Sequence, residues 1–199
     1  MKITLYNSKD TIRHTIAEKS ELFQLEKVPV GVYTVRYELD SMGTTYLFGA
    51  NINLVGQTNF IRQVLLGYKS LGTLAYFKVD TLATYSGNWF FRQVRDPKPK
   101  KLTESTIRYF ASTSRDVSYN RFDTSWSITN GNFNMDTLET SLDYRFFEKL
   151  GFSTGNKIYV KAHTDGFYSN EYYDPLLKRV VYPNVDISSS SIDSFILRR

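Results

Sequence analysis

His163 and Asp165, two residues apart, are the side chains whose types and spacing come nearest to a reactive pair in this sequence. On a β-strand, residues i and i+2 point to the same face, so the imidazole and the carboxylate would lie side by side. Together they could bind a metal ion, but a catalytic metal site needs a third ligand and an open position. The other histidine, His14, lies near the N-terminus, so a carboxylate such as Asp174 would have to complete the site. We therefore interpret the pair as polar residues at a strand end, and we predict neither a metal site nor a cofactor.

A calcium site is a second interpretation of the same region, because Asp165, Asn170 and Asp174 carry the oxygen ligands that Ca²⁺ prefers. Their spacing does not match a calcium-loop motif. The nearby stretch "GFSTGNK", which begins at Gly151, has the glycines and the lysine of a phosphate-binding loop without their spacing. It also lies between a predicted helix and a strand, the reverse of the order in such loops, so we interpret it as a tight turn.

Acidic residues give no stronger sign of catalysis. Two carboxylates can meet in space for glycoside hydrolysis, but Glu139, Asp143 and Glu148 lie too near the boundary of a predicted element to be singled out. The Gly-x-Ser-x-Gly motif is absent. Cysteine is absent as well, which excludes disulfides, zinc–thiolate sites and cysteine nucleophiles. We predict no catalytic residues and a protein that is not an enzyme, and a hydrolase remains the less favoured alternative.

Aromatic residues are concentrated between His163 and Asn184, and flat rings with hydroxyl tips suit contacts with a glycan or a protein. The alternative is a long connection before the last strand, held down by its own rings. Trp89 and Trp126 could stack on sugars if they were exposed, but we expect them in the core, where tryptophans of β-sandwiches are more often found. The candidate ligand-binding residues are Tyr168, Tyr172, Tyr173, Asp174 and Tyr182.

The composition indicates an ordinary globular protein built from sheets. The 199 residues, 41% hydrophobic and 23% charged, suffice for one large domain or two small ones. The high aromatic content of 16% favours pleated sheets, on which flat rings pack well. No apolar run approaches the roughly 20 residues of a membrane helix. The N-terminal stretch "MKITLYNSKD" lacks the apolar segment of a signal peptide, so we expect none in this chain.

The net charge of +5 raises the question of a nucleic-acid partner. Phosphate binding needs several convergent cations, but the basic residues are scattered along the chain. They cluster only in "DPKPKK", from Asp96 to Lys101, where two prolines favour an extended, solvated loop. We therefore predict that the protein does not bind nucleic acid.

The first third of the chain alternates polar and apolar residues with the period of β-strands, and no segment keeps a helical stripe. The predicted strands are "KITLY", "TIRHTIA", "ELFQLEKV", "VYTVRYEL" and "TNFIRQVLL". In the fourth of these, Tyr33 and Val35 are expected to face inward.

The remainder continues in short strands, with one short helix near residues 143–150 that Gly151 ends. Strands are predicted over "GTLAYFKVDTLAT", "GNWFFRQVRD", "STIRYFASTS", "GNKIYVKAHTD" and "SIDSFILRR", and "SRDVSYNRFDTSWSI" is predicted to be a loop followed by a strand. The predicted fold is all-β, with two antiparallel β-sandwich domains in tandem over residues 1–69 and 70–199, the second of about seven strands.

Residues Ile3 to Glu38 contain the segment "VPVGVYTV", which resembles the signature of the carboxypeptidase regulatory-like domain, a small transthyretin-like β-sandwich. The matching positions are Val28, Pro29, Gly31, Tyr33, Thr34 and Val35. Proline sets φ in such a turn, and the glycine is expected to take a backbone conformation that other residues avoid. The resemblance implies that residues 1–69 form a domain of this family.

Residues 150–197 resemble the C-terminal module of bacterial cell-surface lipoproteins, which implies an immunoglobulin- or fibronectin-like sandwich over residues 70–199. The resemblance implies an extracytoplasmic protein, periplasmic or at the cell surface, whose lipid-bearing leader is absent from this chain. Its expected partner is a protein or a glycan at the cell surface, and it would touch the membrane only through that anchor. The leading hypothesis is a non-enzymatic binding or interaction module of unassigned ligand. The alternative is a glycan-binding accessory protein of a polysaccharide-uptake system.

Overall fold

The structure, a computed structural model, describes most of the chain. The described residues are 1–7, 11–16, 23–53, 60–61, 64–70, 74–80, 88–95, 105–130, 137–166, 170–188 and 191–199. Within them, the elements are β1 (Lys2–Tyr6), β2 (Thr11–Ile16), β3 (Gly31–Glu38), β4 (Thr45–Ile52), β5 (Leu74–Asp80), β6 (Trp89–Arg95), β7 (Ser105–Ser112), β8 (Thr124–Asn130), β9 (Thr137–Leu142), α1 (Tyr144–Lys149), β10 (Lys157–Asp165), β11 (Tyr172–Asp174), β12 (Arg179–Val181) and β13 (Ile192–Ile196).

The predicted fold class is confirmed. The strands form antiparallel sheets of β-sandwich type, and the one short helix of the described residues lies where it was predicted. No helix in the described ranges is long and apolar enough to cross a membrane. The basic stretch from Asp96 to Lys101 lies outside the described residues.

The chain divides into two compact units. The first comprises Met1–Lys69 together with Tyr168–Asn184, and the second comprises Ser70–Phe167 together with Val185–Arg199. The division into domains 1–69 and 70–199 stays a prediction, and it places residues 168–184 in the second domain. They join the first unit because they pack on β4 and on the segment before it. The assignment of each unit to a domain family stays a prediction.

The first unit is built on a sheet with the strand order β2-β1-β3-β4. Its inner face alternates as predicted, because Tyr33 and Val35 on β3 are buried, as are Ile3 and Leu5 on β1. Gly31, however, has no left-handed backbone, contrary to expectation. A Cβ there would lie 3.3 Å from the ring of Tyr33, whose hydroxyl donates to the Pro29 carbonyl at 2.8 Å. The glycine therefore makes room for that ring.

Two predicted strands of this unit are not formed by the residues that the structure describes there. Residues 23–28 of "ELFQLEKV" and the described residues of "TNFIRQVLL" are irregular, although several of their apolar side chains pack on the core. The sequence interpretation missed β4, because Gly49 interrupts its alternation. At Gly49, whose φ is +73°, a bulge shifts the pairing with β3, so that Ala50 and Ile52 both face the core.

The second unit has seven strands among the described residues, the number predicted. They form two sheets, of order β13-β10-β7-β8 and β5-β6-β9, with an aromatic core around Phe91. Trp89 and Trp126 are both buried in this core, as predicted, and are therefore not available to stack on a sugar. Ile158 and Val160 of β10 also face it.

Helix α1 begins and ends as the sequence predicts. The Asp143 carboxylate caps its N-terminus by accepting from the Phe146 N–H at 2.9 Å. Gly151, with φ of +92°, follows its last turn. The stretch from Gly151 to Lys157 is a tight turn between α1 and β10, in which the Ser153 N–H donates to the side chain of Asn156 at 2.8 Å. The interpretation of this stretch as a turn is confirmed.

Candidate functional site

The tyrosine-rich stretch contains a β-hairpin rather than a loop without regular structure. Strands β11 and β12 pair antiparallel, with Tyr172 opposite Val181 and Asp174 opposite Arg179. The Asp174 carboxylate shapes the turn by accepting from the N–H groups of Leu176 at 2.9 Å and of Leu177 at 3.1 Å. The stretch before the last strand therefore contains regular structure over residues 172–181, since a local turn motif lets β11 and β12 pair with each other.

One face of this hairpin carries Tyr172 onto two aromatic residues of β4. The Tyr172 ring centroid lies 5.9 Å from that of Tyr46 and 6.2 Å from that of Phe48, and these two rings stack at 6.0 Å. Tyr46 and Phe48 are two residues apart on β4 and point away from the core of the sheet. All three side chains are partly exposed. We call these three residues the ring surface.

Polar groups of β1 and β3 border the ring surface. The guanidinium carbon of Arg36 lies 6.0 Å from the Tyr46 ring centroid, within the range of a cation–π contact. The same guanidinium contacts Glu38 at 2.5 Å and donates to the Tyr6 hydroxyl at 3.3 Å. The ring surface thus adjoins a fixed cation, a carboxylate and a phenol.

The phenols of the ring surface are neutral at physiological pH. Burial raises the pKa of Tyr172 to about 12, and burial is also the main cause that raises the pKa of Tyr46. The hydrogen bond to Tyr6 is the main cause that raises the pKa of Arg36, which therefore stays charged. The hydroxyl groups consequently remain hydrogen-bond donors beside a permanent positive charge.

The other candidate residues are divided between the hairpin faces. Asp174 shares the face of Tyr172, whereas Tyr173 points the other way and is 59% exposed. Tyr182 follows β12 and is half-buried. Tyr168 lies outside the described residues. That these five residues bind a ligand stays a prediction.

Sequence reasoning missed the partners that Tyr172 has on β4. Tyr46 and Phe48 stand in "TTYLFGA", where two rings at positions i and i+2 signal one aromatic face of a strand. Alternation along β3 puts Arg36 on the face opposite Tyr33 and Val35, but nothing in the sequence indicates that it lies beside these rings.

His163 is buried among aromatic rings. Its Nδ1–H donates to the Asp186 carbonyl at 2.8 Å, and its ring lies near those of Phe110 and Tyr119. Nε2 is buried and has no hydrogen-bond partner among the described residues. Burial, with a smaller effect of Lys161, lowers the pKa of His163 below its ordinary value. The imidazole is therefore neutral at pH 7.

Asp165 forms a buried ion pair at the end of β10. Its Oδ2 accepts from the Arg108 Nε–H at 2.6 Å, and its Oδ1 accepts from the Gly166 N–H at 2.8 Å. The Asp165 carboxylate thus has a structural role, which agrees with its interpretation as a polar residue at a strand end.

The proposed calcium ligands are each engaged in hydrogen bonds. Asp165 binds Arg108, Asp174 shapes the hairpin turn, and the Asn170 amide donates to the Leu65 carbonyl. Among the residues that the structure describes, no group of three or more histidine and acidic side chains is arranged to hold a metal ion.

Lowering the pH is expected to destabilise the second unit through His163. In the unfolded chain, the imidazole binds a proton near its ordinary pKa of 6.5, whereas the native state resists protonation because the ring is buried. The unfolded state therefore binds more protons, and the free energy of unfolding falls as the pH decreases through and below 6.5. We expect a loss of up to about 1 kcal/mol between pH 7 and pH 5.5.

Urea denaturation at the two pH values measures this loss. His163→Asn, whose amide can still donate to the Asp186 carbonyl, should largely abolish it. His14 is present in both proteins, so the difference between them isolates His163. Identical pH dependence of the two proteins would contradict the prediction.

Comparison with known proteins leaves the chain without a demonstrated family. No family model matches it, and no curated protein matches it either. One solved structure that is similar is described as a "putative carbohydrate binding protein from Bacteroides uniformis ATCC 8492". Its sequence identity is 11% and its TM-score 0.41, and the match covers 98% of this chain and 87% of that one. A likeness this distant supports no inference about the present site.

Proposed function

We propose that the protein is a non-enzymatic, extracytoplasmic binding module and that the ring surface of its first unit binds a glycan. The observation that carries this proposal is the convergence of three partly exposed rings from β4 and β11 beside the Arg36–Glu38 pair. The resemblance to lipoprotein modules is what supports an extracytoplasmic location and a lipid anchor.

Flat rings and fixed polar groups are the two features that sugar recognition uses. The faces of sugar rings that carry C–H groups pack on aromatic rings, and tyrosine adds a hydroxyl at the edge of the apolar contact. Arg36 and Glu38, bound to each other, stand ready to donate to and to accept from sugar hydroxyls. Because this pair and the Tyr6 contact hold the guanidinium in place, little side-chain entropy would be lost on binding.

Adjacent tyrosines of the hairpin provide a matched test. A glycan array of neutral oligosaccharides identifies a ligand, and calorimetric titration then compares Tyr172→Ala with Tyr173→Ala. Tyr172 belongs to the ring surface and Tyr173 points away from it, although both lie on β11. We expect Tyr172→Ala to weaken binding at least about tenfold and Tyr173→Ala to change it less than about twofold.

Two further variants separate binding from folding. Phe48→Ala removes a ring from β4 and should weaken binding as Tyr172→Ala does. Tyr172→Phe keeps the ring and should retain most of the affinity. The absence of any neutral glycan ligand would refute the proposal. So would unchanged affinity of Tyr172→Ala together with a lowered melting temperature, because the rings would then only hold the hairpin in place.

A further inference from the structure

A separate groove lies over β10 and β13, two neighbouring strands in the larger sheet of the second unit. Its cavity volume is about 560 Å³, within the range of small-ligand sites. Residues of β10 and β13 line it, together with one from the turn after β7. The lining residues are Arg115, Lys157, Tyr159, Lys161, Ile192, Asp193 and Ser194.

The groove is strongly basic. Within the described part of the chain, Arg115, Lys157 and Lys161 have no carboxylate within 4 Å. The one acid of the lining, Asp193, is already engaged, since its Oδ2 accepts from the Val79 N–H and its Oδ1 from the Ser194 N–H, both at 2.7 Å. Three cations therefore face a volume large enough for a ligand, with one carboxylate whose two oxygens already accept hydrogen bonds.

The spacing of the cations favours an extended ligand. Lys157, Tyr159 and Lys161 alternate on β10, so the two lysine backbones lie about 13 Å apart with the tyrosine ring between them. Lys157 Nζ lies 5.2 Å from the Tyr159 ring centroid. One small anion would hold both lysines only by drawing two ammonium groups together against their mutual repulsion, whereas a chain that carries anionic groups on separate units can contact each of them separately. The Tyr159 ring, which already contacts the Lys157 ammonium, adds an apolar surface between the two lysines for the unit in the middle.

Backbone pairing is not available in the groove, which disfavours an extended peptide. Strand β10 is hydrogen-bonded on both sides, to β13 and to β7. Strand β13 is the edge strand of this sheet, and β5 lies beside it, because the Asp193 carboxylate accepts from the Val79 N–H and the Ser191 hydroxyl donates to the Phe77 carbonyl. A peptide that adds a strand needs a free sheet edge. Recognition here must use side chains alone.

We infer that this groove binds an acidic oligosaccharide whose carboxylate or sulfate groups contact Lys157, Lys161 and Arg115 while one sugar packs on Tyr159. Neither the charges nor the geometry of the groove involve the ring surface, so this inference stands independently of the neutral-glycan proposal.

Calorimetric titration with an oligogalacturonate and with a sulfated oligosaccharide, each of four to six sugars, tests the inference. Lys157→Ala, Lys161→Ala and Arg115→Ala should each weaken binding of the better ligand about three- to tenfold. Lys149→Ala removes an equal charge from the exposed end of α1, outside the groove, and should change the affinity less than about twofold. Tyr159→Ala should weaken binding as well, and Tyr172→Ala should leave it unchanged.

Three outcomes would overturn the inference. One is the absence of binding by both acidic oligosaccharides at low salt. Another is an equal effect of Lys149→Ala and the groove variants, which would indicate attraction by net charge alone. The third is that a poly-glutamate peptide of the same charge binds as tightly as the oligosaccharides.

Discussion

Asp165→Asn is expected to destabilise the second unit by about 3–5 kcal/mol. The Arg108–Asp165 pair is almost completely buried, with side-chain exposures of 6% and 1%. The variant removes the negative charge but nearly keeps the shape of the side chain, so the guanidinium would stay in a low-dielectric site without this carboxylate. Urea denaturation followed by the fluorescence of Trp89 and Trp126 measures the effect, since both tryptophans belong to the core of this unit.

Two controls establish the electrostatic origin of this loss. Replacing both partners, with Arg108→Met and Asp165→Leu, should recover most of the stability because no buried charge remains. Asp116→Asn breaks the Arg121 pair, whose side chains are 70% and 63% exposed, and should cost less than about 1 kcal/mol. A loss below about 1 kcal/mol for Asp165→Asn would show that the buried pair contributes little.

Gly43→Ala is expected to destabilise the first unit by about 2–3 kcal/mol and to loosen residues 170–184. An added Cβ would lie 2.6 Å from the Pro183 carbonyl oxygen and 2.7 Å from its carbon, and it would also collide with the Asn184 side chain. Because backbone atoms are involved, no change of rotamer relieves the overlap. Hydrogen exchange of the β11 and β12 amides measures the loosening, and chemical denaturation followed by circular dichroism measures the stability.

Gly49→Ala is the matched control in the same unit. An added Cβ there meets nothing within 4 Å, so its cost is limited to the strain of a left-handed backbone, about 1 kcal/mol. We expect Gly49→Ala to leave hydrogen exchange in residues 170–184 unchanged. Equal exchange in Gly43→Ala and the parent protein would show that the close approach of Gly43 and Pro183 does not hold this segment.

The structural roles of His163 and Asp165 show why side-chain types alone do not identify a catalytic or metal-binding site. Their spacing correctly placed both on one face of β10, and both are buried. Burial makes the imidazole neutral and gives the carboxylate an arginine partner, so the pair stabilises the fold. The partners, Arg108 and the Asp186 carbonyl, are 57 and 23 residues away in sequence, beyond the reach of a local pattern.

Periodicity predicted those elements whose alternation is unbroken. The strands β3, β7 and β10 and the helix with its Asp143 cap follow from local patterns, because strand faces and helix caps depend on neighbouring residues. Strand β4 was missed because the bulge at Gly49 breaks its period. The described residues of two apolar stretches that were predicted to be strands are irregular, because side chains of irregular segments also pack into the core.

The sequence by itself determined an all-β protein with one short helix, buried tryptophans and no cysteine chemistry. These features follow from the composition and from the alternation of polar and apolar residues, which depend only on residues near each other in the chain. Only the tertiary structure decided which unit the hairpin of Tyr172 joins and that its ring meets Tyr46 and Phe48. It likewise decided that Arg115 lies beside the lysines of β10. These arrangements bring together residues more than forty positions apart in sequence. Contacts between such distant residues do not produce a periodic pattern that could be recognised in the sequence.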